Sequence, residues 1–331
     1  MNKMTLQRHI KEIEKRDNLA LKKRAFDLFT NRRVGNMGPD LYTNGGGDKY
    51  SQIISTNEQY IPYQGEVALI QEKKSDIARW AKDIDTVIII GPGPAQTMET
   101  KELPILKLLP ALKTVKLIDL SEQFNAQAAK VLEQSFEPPL YVETYTGDFN
   151  TVTLNQNYSR ALVITTGSLT NFEDAPLDSF PSSIAGSYLR RFQEMAKPGG
   201  KILWGYDSNS NAAAIEAEYE SSEISAFVLN PLNKLSSTSG VDIDPKKFIY
   251  TPEFFPRGSH LAHYWTATAP QNVEIDDETI SIFEGDRFLC FSSIKLNPDK
   301  LNIIAQNKGL SSHCAFTHSN SKQILHCFDY N

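Results

Sequence analysis

No apolar run in this 331-residue chain approaches the ~18 consecutive residues that suggest a membrane-spanning helix. The first residues are polar and charged where a secretory signal would carry an apolar core. These absences predict a cytoplasmic protein with no membrane partner. Cysteine is scarce: Cys290, Cys314 and Cys327 are scattered and lack metal-ligand spacing, which suits a reducing compartment. His260 and His263 stand three positions apart, but no Glu occupies the place that a zinc-protease helix requires, so no metal is expected. Positive charge is not in surplus either. A net charge of −6 argues against a general nucleic-acid partner. Only residues 1 to 35 are basic, with ten Lys or Arg against four Asp or Glu. Their apolar spacing (Leu6, Ile10, Ile13, Leu19, Leu21, Phe26, Phe29) reads as one stripe of a helix whose other face is solvated. Repeats and low-complexity tracts are absent. What remains is an ordinary globular composition, 40% hydrophobic and 22% charged, on a length that suggests about two domains.

The most informative stretch present is Thr86-Val-Ile-Ile-Ile-Gly91-Pro92-Gly93. A short β-branched run breaking at glycine predicts a buried parallel strand that feeds a ligand-binding loop. Glycines let backbone N–H groups approach a ligand that side chains would exclude. Gln96 stands where a dinucleotide-binding G-x-G-x-x-G has its third glycine, so a nucleoside without a diphosphate suits the loop better. Lys116-Leu-Ile-Asp119 is a second apolar run, ending in a carboxylate that can accept from ribose hydroxyls. Nicotinamide enzymes and methyltransferases share that geometry. Gly147-Asp148-Phe149 follows a third, alternating run and puts a carboxylate where an adenine amino group can donate. Asp119 and Asp148 also read as ordinary turn or cap residues.

The spacing predicts helices at about 4–30, 51–57 and 65–80, with a loop or lid from Asn36 to Lys49, because Asn44-Gly-Gly-Gly-Asp48 disfavours regular structure. Strands are predicted at 86–90, 115–119, 140–145, 161–166 and 201–206, separated by helices near 97–109, 122–134 and 182–196. This alternation argues for a parallel sheet with helices on both faces. The pattern breaks after residue 207. A helix from about Ala212 to Leu229 and mixed Pro-, Ser- and Asp-rich segments follow, then strand-like runs at Phe288–Leu296 and Gln323–Phe328. A terminal strand pair after a helix at about 298–308 suits the antiparallel hairpin that closes many methyltransferase sheets.

The order of these pieces resembles the histidine-specific S-adenosylmethionine-dependent methyltransferases, the group that contains the ergothioneine-pathway histidine Nα-methyltransferase. The matching pieces are Tyr42 ahead of a Gly-rich loop with Asp48-x-Tyr50, then Ile-Ile-Gly-Pro-Gly-Pro, Ile-Asp119-Leu-Ser and Gly147-Asp148-Phe149. Gly167-Ser-Leu-Thr-Asn171-Phe172, Gly205-Tyr-Asp207 and Ser293-Ile-Lys295 follow. The resemblance implies an α/β fold, a Rossmann-like class I methyltransferase sheet with a discontinuous α+β substrate domain. The cofactor domain would comprise residues 61–206 and 295–331, the substrate domain 1–60 and 207–294. It implies S-adenosylmethionine as cofactor, held at Gly91, Pro92, Gly93, Asp119, Leu120, Gly147, Asp148, Phe149 and Gly167. It also implies a small amine or amino-acid substrate, with Asn171 and Tyr42 holding its amino and carboxylate groups and Tyr50, Tyr60, Tyr264, Phe291 and Ser293 around it. Two positions depart from the family. Histidine-specific members carry an imidazole-gripping carboxylate two residues before the serine, where this chain has Phe291, and a Met where it has Tyr264. The expected activity is therefore methylation of an amine on a substrate more apolar than histidine, by a monomer. A non-catalytic metabolite-binding homologue and a nicotinamide-dependent oxidoreductase are the competing readings.

Overall fold

The computed structural model describes residues 3–331 apart from 31–32, 43–44, 58–59, 168, 170, 173–176 and 319–320. Its description also excludes the side chains of residues 3–14, 16, 171 and 172. A seven-stranded sheet is built from Thr86–Ile90 (β1), Thr114–Asp119 (β2), Tyr141–Thr146 (β3), Leu162–Thr166 (β4), Lys201–Asp207 (β5), Leu310–Thr317 (β6) and Gln323–Tyr330 (β7). Its order is β3-β2-β1-β4-β5-β7-β6, with β7 antiparallel to both neighbours and the other pairs parallel. This is the class I methyltransferase sheet. Every residue of β1 and β4 is buried, as the consecutive apolar runs require of strands covered on both faces. Chain order reverses between β1 and β4. The crevice at their C-terminal ends is therefore where an open α/β sheet takes a ligand.

One strand of this sheet escaped the sequence reading. β6 lies at the edge, and Ser311, Ser312 and His313 are exposed, so it lacks an apolar signature. Phe288–Leu296 belongs to a different sheet. Arg287–Ile294 pairs with His260–Ala267 and Asn171–Phe172, and His260–Ala267 pairs with Phe248–Phe255. A third sheet joins Gln271–Ile275 to Glu278–Ile282 and Val241–Asp242. The four-stranded sheet shares a core with the helix Lys3–Thr30, in which Leu21, Leu28, Phe29, Trp265 and Phe288 are buried together. Phe29 meets Phe288 edge-on at 5.0 Å, and Trp265 Nε1 donates to Val228 O at 3.0 Å.

Two helix expectations are corrected. The helix expected over 212–229 is broken into Ala212–Tyr219 and Ser222–Val228, with Asn230–Ser236 following. Ser221 Oγ accepts from Ile224 N and starts the second piece, and Pro231 opens the third. The expected loop from Asn36 to Lys49 contains the short helix Gly38–Leu41, and a longer helix, Gly46–Thr56, begins inside the glycine run. Glycine is there for close approach: a Cβ on Gly46 would lie 1.7 Å from Leu41 O. Gly46→Ala is therefore expected to cost about 1–3 kcal/mol, as overpacking does. Urea unfolding would measure it, and an unchanged midpoint would refute the close-approach argument. No helix among the described residues is long and apolar enough to cross a membrane.

Candidate active site

At the C-terminal edge of β1, β2 and β4 lies an open cleft of about 270 Å3. Gly91 and Gly93 turn the chain there with φ of 68° and 66°, a region that L side chains rarely adopt, so glycine is required for backbone reasons. Asp119 closes β2 beside them. Its Oδ1 accepts from Ser121 N at 2.8 Å and its Oδ2 accepts from Gly93 N at 3.4 Å, so the carboxylate ties the two loops together. Burial pushes the Asp119 carboxyl up to about 6, against the pull of those N–H groups. Asp148 is more exposed and accepts from Asn150 N at 2.9 Å, a turn role combined with a place on the cleft wall. Leu120, Gly147, Phe149 and Gly167 also line the cleft, and Tyr188 packs edge-on against Phe149 at 5.0 Å. Pro92 is buried and shapes the turn without lining the cleft.

Behind this cleft is a small inner cavity of about 80 Å3. Tyr42, Tyr50, Lys101 and Gly167 line both spaces, so they form the partition between them. Tyr42 meets the rings of Tyr50, Phe124 and Phe227 edge-on at 5.6, 6.2 and 5.3 Å. Burial first, and the Asp119 carboxylate second, raise the Tyr42 hydroxyl far above its usual range, so it stays protonated. Tyr60, Phe291 and Ser293 line the inner cavity too. Tyr264 does not. It lies on the opposite face of its strand, half-buried with the Arg287 guanidinium 3.9 Å above its ring. Asn171 is described only through its backbone, whose strand pairs Asn171 with Ser293.

His263, which the sequence offered only as half of a metal-spaced pair, takes the inward place beside Phe291. The two rings stack at 4.0 Å, Tyr250 OH bonds Nδ1 at 2.8 Å, and Ser293 Oγ bonds Nε2 at 2.9 Å. Burial, with Lys295 nearby, pulls His263 down to about 3, so it is neutral at physiological pH. Neither Glu284 nor Asp286 lines the cavity; Asp286 pairs with Arg33. Two buried ion pairs do line it, Glu66–Lys101 at 2.5 Å and Asp207–Lys295 at 2.6 Å. Burial works against the charge on Lys101, but the Glu66 and Glu102 carboxylates carry it above its ordinary range. The signal for Asp207 and Lys295 was in the motifs that contain them. None existed for Glu66, Lys101 or His263, whose role depends on partners remote in sequence.

A glycine turn, a carboxylate at the end of β2 and a partitioned cleft on this sheet suit a nucleoside-bearing cofactor beside a second, smaller ligand. The model of the histidine-specific, SAM-dependent methyltransferase family matches residues 39–330, and this chain belongs to that family. One relative is the N-methyltransferase imqF of Aspergillus flavus, 24% identical over 285 residues, or 82% of this chain and 74% of that protein. Solved structures to which the chain is similar include a S-adenosylmethionine-dependent methyltransferase from Clostridium acetobutylicum. It is 12% identical with a TM-score of 0.45, and the match covers 85% of this chain and 96% of that one. Another is the glycopeptide N-methyltransferase MtfA with S-adenosylmethionine, 12% identical with a TM-score of 0.40, covering 78% and 87%. The cleft fits the cofactor: the left-handed glycine turn exposes backbone, the buried Asp119 carboxylate gains from hydroxyl donors, and Leu120 and Phe149 offer an apolar slot.

Proposed function

We propose that the chain methylates the amine of an amino acid or related small metabolite whose side group is aromatic or apolar rather than imidazole. The observation that carries this is the partition. Tyr42, Tyr50, Lys101 and Gly167 belong to both spaces, so an acceptor in the inner cavity faces the cofactor cleft. The name of the Aspergillus flavus relative supports nitrogen as the accepting atom. Tyr60, Tyr219, Phe227 and Phe291 supply an aromatic lining suited to a flat or apolar group. A phenyl ring at Phe291 offers no ordinary acceptor to an imidazole N–H, and a buried donor without a partner costs roughly 1–3 kcal/mol. Ser293 is already engaged by the chain's own His263.

S-adenosylmethionine, when bound, supplies an electrophilic methyl group and a neutral leaving sulfur. The chain's own residues bind and aim the nucleophile and keep water out. Tyr42, protonated at all working pH values, donates its O–H to the substrate carboxylate. Asn171, on the strand paired with Ser293, holds the amine. The nitrogen must enter as neutral amine, because an ammonium has no lone pair. Proximity of this kind supplies about 7–11 kcal/mol, so no strong base is needed.

Incubating the protein with methyl-labelled S-adenosylmethionine and a panel of amino acids and amines tests this. The expected product is an N-methylated aromatic or apolar amine, with histidine at least about 100-fold slower by kcat/KM. Equal use of histidine overturns the side-group assignment, and no N-methylated product from any amine overturns the acceptor class.

A further inference from the structure

Glu66 reaches the wall of the inner cavity from the helix Ile61–Trp80 and is fully buried. Its Oε2 accepts from Lys101 Nζ at 2.5 Å, while its Oε1 has no hydrogen-bond partner among the described residues. A carboxylate oxygen can only accept, so a buried one without a donor is unfavourable until a donor arrives. Glycines at two neighbouring positions make the space that this carboxylate occupies. A Cβ on Gly205 would lie 2.1 Å from Oε1, and one on Gly167 would lie 3.1 Å from Oε2. Gly205 lies near the end of β5, and Gly167 follows β4, at the sheet edge where such folds take ligands. Gly167 and Lys101 both belong to the partition, so the carboxylate stands at the junction of the two spaces. Lys295 is committed to Asp207, and the hydroxyls of Tyr60 and Tyr219 to each other.

We propose that Glu66 Oε1 accepts an N–H of the acceptor amine, aims its lone pair at the partition, and stabilises the positive charge that nitrogen gains. This rests on the amine reading above. In the step, the carbon–sulfur bond breaks with its electron pair going to sulfur and a carbon–nitrogen bond forms. Nitrogen, neutral before transfer, carries the positive charge afterwards and then releases a proton to solvent. A fixed carboxylate beside it interacts more strongly with that charged nitrogen than with the neutral amine, which is the differential that accelerates a reaction. Lys101 holds the carboxylate in place through Oε2.

The test compares Glu66→Gln with the wild type. S-adenosylhomocysteine affinity by calorimetry is expected to stay within about 3-fold, and kcat/KM for the amine to fall about 100-fold or more, chiefly in kcat. If Glu66→Gln alone does not fold, the charge-neutral double variant Glu66→Gln with Lys101→Met is assayed and is expected to show the same loss. A folded variant that keeps kcat/KM within about 3-fold, beside a wild type that methylates the amine, overturns this assignment alone. A wild type that methylates only oxygen or sulfur acceptors overturns the amine reading and this assignment together.

Discussion

Replacing Asp119 with Asn is expected to weaken S-adenosylhomocysteine binding by about 100-fold and to flatten its pH dependence. Hydrogen bonds to a charged group contribute about 1.5–3 kcal/mol each, and a tenfold change in affinity is about 1.4 kcal/mol. In the protein without ligand, burial has raised this carboxyl to about 6, so the fold favours its protonated form. The sign follows. The stability Asp119 contributes is full below its unfolded value and lost as pH rises through about 6. Ribose hydroxyls donating to the carboxylate reverse that preference, so ligand affinity is full above pH 7 and falls below pH 6. About tenfold should be lost by pH 5. Calorimetric titrations across that range check both statements. An Asn variant with wild-type affinity, or a wild type whose affinity is level from pH 5 to 8, would remove Asp119 from the cofactor site.

The second large effect is on stability. Asp207→Ala is expected to destabilise the protein by about 3–5 kcal/mol, because it strands the Lys295 ammonium without its anion. The two side chains are only 8% and 3% exposed, and Lys295 Nζ lies 2.6 Å from Asp207 Oδ2. Removing both charges is a different matter. Desolvation offsets most of the attraction in such a pair, so Asp207→Ala combined with Lys295→Met should recover most of the loss. Denaturant midpoints of the two single variants and the double variant form the cycle. A single variant as stable as the wild type would show that Lys295 finds another partner, Tyr219 OH at 3.5 Å being the nearest alternative. Full additivity in the double variant would show that the pair does not act as a unit.

The open cleft at the sheet edge was legible in the sequence because its parts are local. Gly91, Gly93, Asp119 and the Gly147–Phe149 turn each sit at the end of a short apolar run, and the topology of such sheets brings those ends together. The inner cavity was only half legible. Phe291 and Ser293 were found, but Tyr264 was expected on the wall where His263 stands. The strand pairing explains why: the register passes from Tyr264 opposite Leu289 to His263 opposite Phe291, skipping Cys290. A bulge of one residue re-aims the side chains, and a period-two pattern cannot reveal which residue is skipped. The edge strand β6 and the helix starting at Gly46 were missed for related reasons, since what makes each of them is a neighbour distant in sequence.

The sequence by itself determined the alternation of strands and helices, the buried parallel centre and the glycine turn that follows β1. These follow from apolar period and backbone freedom over a few residues. Tertiary structure alone decided which side chains meet across the partition. Glu66, Lys101 and His263 come from a helix, a π-helical turn and a bulged sheet, and their chemistry exists only once packing strips away water and pairs their charges.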